Sequence, residues 1–128
     1  MMLNLHTIEN GKTILLSGDS VTDCGRARPY GDYVNGLGGG YPQNLHTLIT
    51  AACPEKRLRL VNAGLGGETC RVVRSRWESD LDAVRPDHAT LLIGVNDVWR
   101  HFDTYMTPSR AVSEEEYEEN LRFIASIA

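Results

Sequence analysis

The sequence predicts an α/β fold, a parallel sheet with helices packed against it, and three observations carry that prediction. Short apolar runs suited to buried strands occur at residues 13–17, 58–63 and 89–95. Segments with helical spacing of apolar residues separate them. Each run breaks abruptly into a turn rich in glycine, asparagine or aspartate. Strands alternating with helices in this way form a parallel sheet with right-handed crossovers.

The first run, T-I-L-L-S, is β-branched at its start and ends at Gly18-Asp19-Ser20. A glycine-rich stretch at residues 36–40 leads to Tyr41-Pro42, where Pro42 suits the first position of a helix. That helix places Leu45, Leu48, Ile49 and Ala52 on one face, and Pro54 stops it. The second run is followed by Gly64-Leu65-Gly66-Gly67. A helix is expected to open near Thr69, to turn Val72, Val73 and Trp77 inward, and to leave Arg71, Arg74 and Arg76 in solvent. Pro86-Asp87 restarts the chain. The third run is apolar throughout, as strands covered on both faces are, and ends at Asn96-Asp97. After a looser segment, residues 100–110, Ser113 and Glu116 have capping-box spacing, with Ser113 as N-cap and Glu116 reaching back. The helix they start sets Tyr117, Leu121, Ile124 and Ala128 on one stripe, and the sequence stops with that helix still running.

A chain of 128 residues holds one domain, residues 1–128, short for an α/β architecture. With 41% hydrophobic and 23% charged residues it reads as globular, neither collagenous nor low-complexity. The net charge of -4 is spread along the chain, which argues against nucleic-acid or anionic-membrane partners. The dense acidic run, Glu114 to Glu116 with Glu118 and Glu119, reads as a solvated helix face. No apolar run approaches the roughly 20 residues of a membrane span. Cys24, Cys53 and Cys70 form no C-x-x-C pair and leave one unpaired under any disulfide scheme. Together with the lack of a secretory apolar region at residues 1–10, that points to a reducing cytoplasm. No His, Cys or Asp set has metal-ligand spacing.

In a parallel sheet, ligands bind at the carboxyl ends of the strands. Here those ends are Gly18-Asp19-Ser20, residues 64–67 and Asn96-Asp97, and all three are expected to open onto one crevice. Ser20 follows a strand and a sharp turn, where a nucleophile's Oγ is exposed and a helix N-terminus favours developing negative charge. The same serine serves equally as a helix cap. An acyl-transfer site also needs oxyanion donors. Gly67 offers a backbone N–H that a ligand can approach closely, and Asn96 offers a neutral side-chain amide. Read singly, Gly67 is a turn glycine and Asn96 a turn-forming residue.

Taken together, the blocks resemble the SGNH (GDSL-type) esterase and lipase superfamily. Residues 18–23, G-D-S-V-T-D, resemble its nucleophile block; residues 62–69, N-A-G-L-G-G-E-T, its second block; and residues 94–97, G-V-N-D, its third. The resemblance covers nearly the whole chain. It implies a three-layer α/β/α sandwich of the flavodoxin-like SGNH type, with Ser20 as nucleophile and oxyanion donors from the Ser20 and Gly67 N–H groups and the Asn96 side chain. Residues 22–26, 40–42, 76–77 and 96–100 are most similar to bacterial esterases that remove acetyl groups from carbohydrates, xylan-type deacetylases above all. The lysophospholipase and thioesterase branches are the alternative. Trp99 is then a candidate for stacking on a sugar ring, or else for packing the loop. The chemistry requires no cofactor, the partner is a small acyl ester or acetylated carbohydrate, and a homo-oligomer is compatible with the reading.

One part of the pattern is missing. The family's fourth block, Asp-x-x-His, which supplies the general base and its orienting carboxylate, has no match. Of His6, His46, His88 and His101, only His101 is expected near the crevice. The expectation is therefore the N-terminal portion of such an esterase, close to inert by itself because the Asp and His lie outside these 128 residues. A catalytically silent module that binds an acylated or sugar ligand is the second reading. A nucleotide-binding domain is a third, weakened because Thr69 stands where the third glycine of the dinucleotide fingerprint belongs and residues 36–40 lack a Gly-Lys-Ser/Thr ending.

Overall fold

The structure, a computed structural model, describes residues 7–103 and 110–128. Strands β1 (Thr13–Gly18), β2 (Arg59–Asn62) and β3 (His88–Leu92) form a parallel sheet in the order β2-β1-β3. Leu15 of β1 pairs with Val61 on one side and Ala89 on the other. Helices α1 (Ser20–Asp23), α2 (Tyr41–Ala52), α3 (Cys70–Val84), α4 (Val95–Trp99) and α5 (Glu114–Ile127) surround it.

The period-two alternation of β1 creates two cores. Ile14 and Leu16 point to one face, where they meet Leu60, Leu37 and Ile49 of α2. Leu15 points to the other, against Val61, Val73 and Trp77 of α3 and Ile124 of α5. A central strand with helices on both faces gives the expected three layers.

Several expectations about single residues change. In α2, Tyr41 occupies the first position and Pro42 the second. Ile49 is buried, but Leu48, about 100° further round the helix, is 67% exposed, and Ala52 is also exposed. In α3, Val73 and Trp77 are buried, whereas Val72 faces solvent. Nor is Arg76 solvated: it pairs with Glu68 and Asp80. Arg71 and Arg74 turn toward α5, the first onto Glu116 and the second over the Phe123 ring and onto Asn120 Oδ1.

The third strand differs most. It ends at Leu92, and Val95 begins α4 instead of closing the strand. Only Ala89 and Leu91 join the core, while His88, Thr90 and Leu92 are exposed, so one face of β3 is uncovered among the described residues. The chain turns at Gly94 (φ +136°), where an added Cβ would lie 2.9 Å from the Tyr117 hydroxyl. That hydroxyl donates to the Ile93 carbonyl at 3.1 Å. At α5, Ser113 Oγ accepts the Glu116 N–H, 3.2 Å, but the Glu116 carboxylate binds the Arg71 guanidinium in two places, at 2.6 and 2.7 Å. The charge-assisted fork takes precedence over the return bond to a neutral N–H, so the capping box is half formed. Ile124 and Asn120 are buried, Tyr117 and Leu121 partly so, and Ala128 is exposed. No described helix is long and apolar enough to cross a membrane.

Candidate active site

Ser20 is exposed at the first residue of α1. The strand end before it must be glycine on packing grounds: a Cβ at Gly18 would meet Thr22 Oγ1 and the Leu92 carbonyl. Buried Asp19 then fixes the turn. Its Oδ1 accepts the Val21 N–H at 3.0 Å, and its carbonyl accepts those of Thr22 and Asp23 at 3.1 and 2.9 Å. These bonds leave the Ser20 N–H and Oγ without a partner among the described residues. With α1 only one turn long, the field at Ser20 comes from this local N–H and not from a long helix.

The second strand end is stapled to α1 by groups that sequence reasoning gave no role. Buried Asn62 donates to the Thr22 and Leu37 carbonyls at 2.6 and 2.8 Å and accepts the Gly64 N–H at 2.8 Å. Arg26, also buried, donates from Nε to the Gly64 carbonyl, 2.6 Å. Asp23 Oδ2 accepts the Gly66 N–H at 2.9 Å and the Arg28 Nη2 proton at 2.7 Å. Burial pushes the Asp23 carboxyl upward, but Arg28 and the Gly66 N–H outweigh it and hold the group below its ordinary value. The outcome places the turn beside the serine: a Cβ at Gly66 would stand 3.9 Å from Ser20 Cβ. Gly67 follows at φ +80°, a backbone that glycine adopts without cost.

The third strand end joins the second. Asn96 Nδ2 donates to the Glu68 carbonyl, 2.9 Å. Both oxygens of buried Asp97 accept the Cys70 N–H, at 3.0 and 3.1 Å, and so cap α3 in place of the Thr69 side chain. Arg100, ending α4, donates to the Gly67 carbonyl at 3.2 Å. Hydrogen bonds therefore link α1 to the turn through Asp23 and Gly66, and the turn, through Glu68, to Asn96, with Ser20 standing beside Gly66. Beneath the turn, the Glu68 carboxylate binds Arg76 Nη2 at 2.6 Å, Arg76 also binds Asp80, and the Tyr30 hydroxyl donates to Asp80 at 2.7 Å. Burial and that bond to Asp80 push the Tyr30 hydroxyl up to about 12, so it remains a donor.

A cavity of about 340 Å³ opens against Leu65, Gly66, Gly67, Glu68, Thr69 and Arg100, among others. Of Ser20, Gly67 and Asn96 only Gly67 lines it, and a larger cavity, about 690 Å³, along Val98, His101, Phe102 and Tyr117 touches none of the three. Trp99 is 58% exposed, and its indole N–H donates to Asp103 Oδ2 at 3.2 Å. No described histidine is bonded to Ser20. His101 Nε2 lies 2.7 Å from the Val112 carbonyl, His46 stacks on Tyr33, and His88 starts β3 at the opposite end of the sheet. His6 lies outside the described residues. Among the described residues there is no cluster able to hold a metal ion.

Residues 16–127 match the GDSL-like lipase/acylhydrolase family. The chain is 45% identical over 116 residues to an acetylxylan esterase of Geobacillus stearothermophilus, covering 90% of this chain and 53% of that protein. Its fold matches the crystal structure of Axe2, an acetylxylan esterase from the same organism, with a TM-score of 0.88 and 43% identity over 94% of this chain and 55% of Axe2. LAE5, an α/β hydrolase enzyme from the metagenome of Lake Arreo, Spain, matches with a TM-score of 0.86 and 39% identity over 94% of this chain and 56% of LAE5. The chain thus spans about half the length of these relatives. Solved forms of Axe2 include catalytic mutants with alanine in place of a serine, an aspartate and a histidine, the last two being three positions apart in that protein.

Proposed function

Since the chain belongs to the GDSL-like lipase/acylhydrolase family, we propose that the protein carrying it is a serine esterase that removes small acyl groups, acetyl above all, from carbohydrates. The observation that carries the proposal is the placing of exposed Ser20 beside the Gly66–Gly67 turn, which is bonded to α1 through Asp23 and to Asn96 through the Glu68 carbonyl. The acetylxylan esterases it resembles support acetylated carbohydrate as the substrate class.

In this reading Ser20 Oγ attacks the ester carbonyl carbon as a general base takes its proton. The oxyanion is held by the Ser20 and Gly67 N–H groups and the Asn96 amide. Collapse of the tetrahedral intermediate breaks the bond to the sugar oxygen, which leaves with the proton as the alcohol, and Ser20 keeps the acetyl group. Water, deprotonated by the same base, attacks the acetyl-enzyme and releases acetate. Trp99, exposed near the same strand end, supplies a flat apolar surface for the sugar. No described histidine contacts Ser20, so the reading assigns the base, a histidine oriented by an aspartate, to residues outside these 128.

The test is acetate release from acetylated xylo-oligosaccharides by the protein at its natural length. Release that disappears in Ser20→Ala supports the proposal. Absence of release, or release indifferent to Ser20→Ala, overturns it.

A further inference from the structure

Three successive backbone N–H groups in the turn after β2 have three different fates. That of Gly66 goes to Asp23 Oδ2 at 2.9 Å, and that of Glu68 to the Leu65 carbonyl at 3.4 Å. The one between them, on Gly67, has no acceptor among the described residues. The carbonyl side is held as well: Arg100 Nη2 donates to the Gly67 oxygen at 3.2 Å and Asn96 Nδ2 to the Glu68 oxygen at 2.9 Å.

The plane that holds the Gly67 N–H is the peptide joining Gly66 to Gly67. Turning it over requires rotation about ψ of Gly66 and φ of Gly67, two torsions that glycine leaves free. In this turn the group before the first torsion, the Gly66 N–H, is bound to a carboxylate. The group after the second, the Gly67 carbonyl, is bound to a guanidinium. Both partners come from outside the turn, from segments carrying the other candidate groups. Asp23 lies in α1, three residues past Ser20, and Arg100 follows α4, the helix of Asn96. Asp23 is buried, its Oδ2 shared between the Gly66 N–H and Arg28 Nη2, while its Oδ1 has no hydrogen-bond partner among the described residues.

We propose that Asp23 and Arg100 are positioning residues that clamp the Gly66–Gly67 peptide from its two ends and aim the Gly67 N–H at the oxyanion formed on Ser20. The clamp rests on the serine-esterase reading above. An oxyanion donor contributes only if it is held where charge develops, and an ångström of misplacement costs up to about a hundredfold in rate. Loss of either clamp should therefore lower kcat and leave ester binding nearly untouched.

The experiment measures kcat and KM for p-nitrophenyl acetate with the protein at its natural length, alongside unfolding midpoints. Asp23→Ala and Arg100→Ala are each expected to lower kcat about 10-fold to 100-fold, with KM changed less than about twofold. Asp23→Asn, which keeps an oxygen for the Gly66 N–H, and Arg100→Lys, which keeps a cationic donor, should restore most of that loss. The double alanine variant should lose less than the product of the two single losses, because both act on one donor. Should Asp23→Ala not fold, Arg100→Ala and its rescue by Arg100→Lys carry the same comparison. An active, Ser20-dependent wild type whose alanine variants keep kcat, or lose it without rescue by the conservative changes, overturns the clamp alone. A wild type with no Ser20-dependent activity overturns the esterase reading and the clamp with it.

Discussion

Asn96 Nδ2 lies 2.9 Å from the carbonyl oxygen of Glu68, so one proton of the amide fastens the end of β3 to the turn after β2. The second amide proton has no acceptor among the described residues. A neutral amide held in this way can donate to an oxyanion without first reorganising. Asn96→Ala is expected to lower kcat by roughly 10²–10³. Asn96→Asp should do no better, because a carboxylate cannot donate and repels the oxyanion. Steady-state kinetics with p-nitrophenyl acetate check this, and an unchanged kcat removes Asn96 from the site.

Arg76 sits between two buried carboxylates, Glu68 and Asp80, directly beneath the turn that carries Gly67. Removing the cation leaves both acids buried without their shared partner. Arg76→Ala is expected to destabilise the fold by about 3–5 kcal/mol, read from urea unfolding midpoints. A loss below about 1 kcal/mol would place this network among ordinary surface pairs.

These two sites differ in how far they could be read from the residues alone. The strand ends are legible because a cluster of glycine, asparagine and aspartate follows each apolar run, and Gly18, Gly67 and Asn96 stand out for that reason, although Gly18 and Asn62 themselves end β1 and β2. The sense in which each helix faces the sheet was less legible. Val72 and Val73 are equally apolar, and only packing against Leu15 and Val61 decides that Val73 enters the core. Arg76 reads as a solvated arginine until the chain folds Glu68 and Asp80 onto it. The third run looked doubly covered because it is apolar throughout, a composition that does not report which neighbours are present. Asp23, Asp97 and Arg100 stood inside the quoted motifs, but their partners, Gly66, Cys70 and Gly67, lie 43, 27 and 33 positions away. Local patterning carries no signal of that kind.

The three cysteines should react very differently. Cys24 is exposed, Cys53 partly so, and Cys70 fully buried. Burial, reinforced by the Asp97 carboxylate, pushes the Cys70 thiol up to about 12, so almost no thiolate exists at neutral pH. Titration with a chromogenic disulfide at pH 8 should show Cys24 reacting first and Cys70 only after denaturant is added. A fast-reacting Cys70 in the folded protein would contradict the packing of α3 against α5.

Stability should fall in acid. Arg71 holds the Glu116 carboxyl below its ordinary value, and the Thr13 N–H with Lys12 does the same for Asp87. For Asp23, burial acts upward but is outweighed by Arg28 and the Gly66 N–H. A carboxyl lowered on folding takes up protons more readily when unfolded. Its contribution is therefore complete above the unfolded value, about 4, and is lost as pH falls through the lower folded value. Urea midpoints should change little on this account between about pH 7 and 5 and drop below about pH 4, less steeply in Glu116→Gln. A midpoint that rises on acidification through pH 4 would contradict these assignments.

Covalent labelling tests most directly whether Ser20 is the nucleophile. The protein at its natural length is treated with an organophosphate that phosphorylates activated serines, digested, and its peptides weighed. The predicted result is one equivalent of label on Ser20, with parallel loss of acetate-releasing activity and no label in Ser20→Ala. Stoichiometric label on another residue, or full activity loss with Ser20 unmodified, would contradict it.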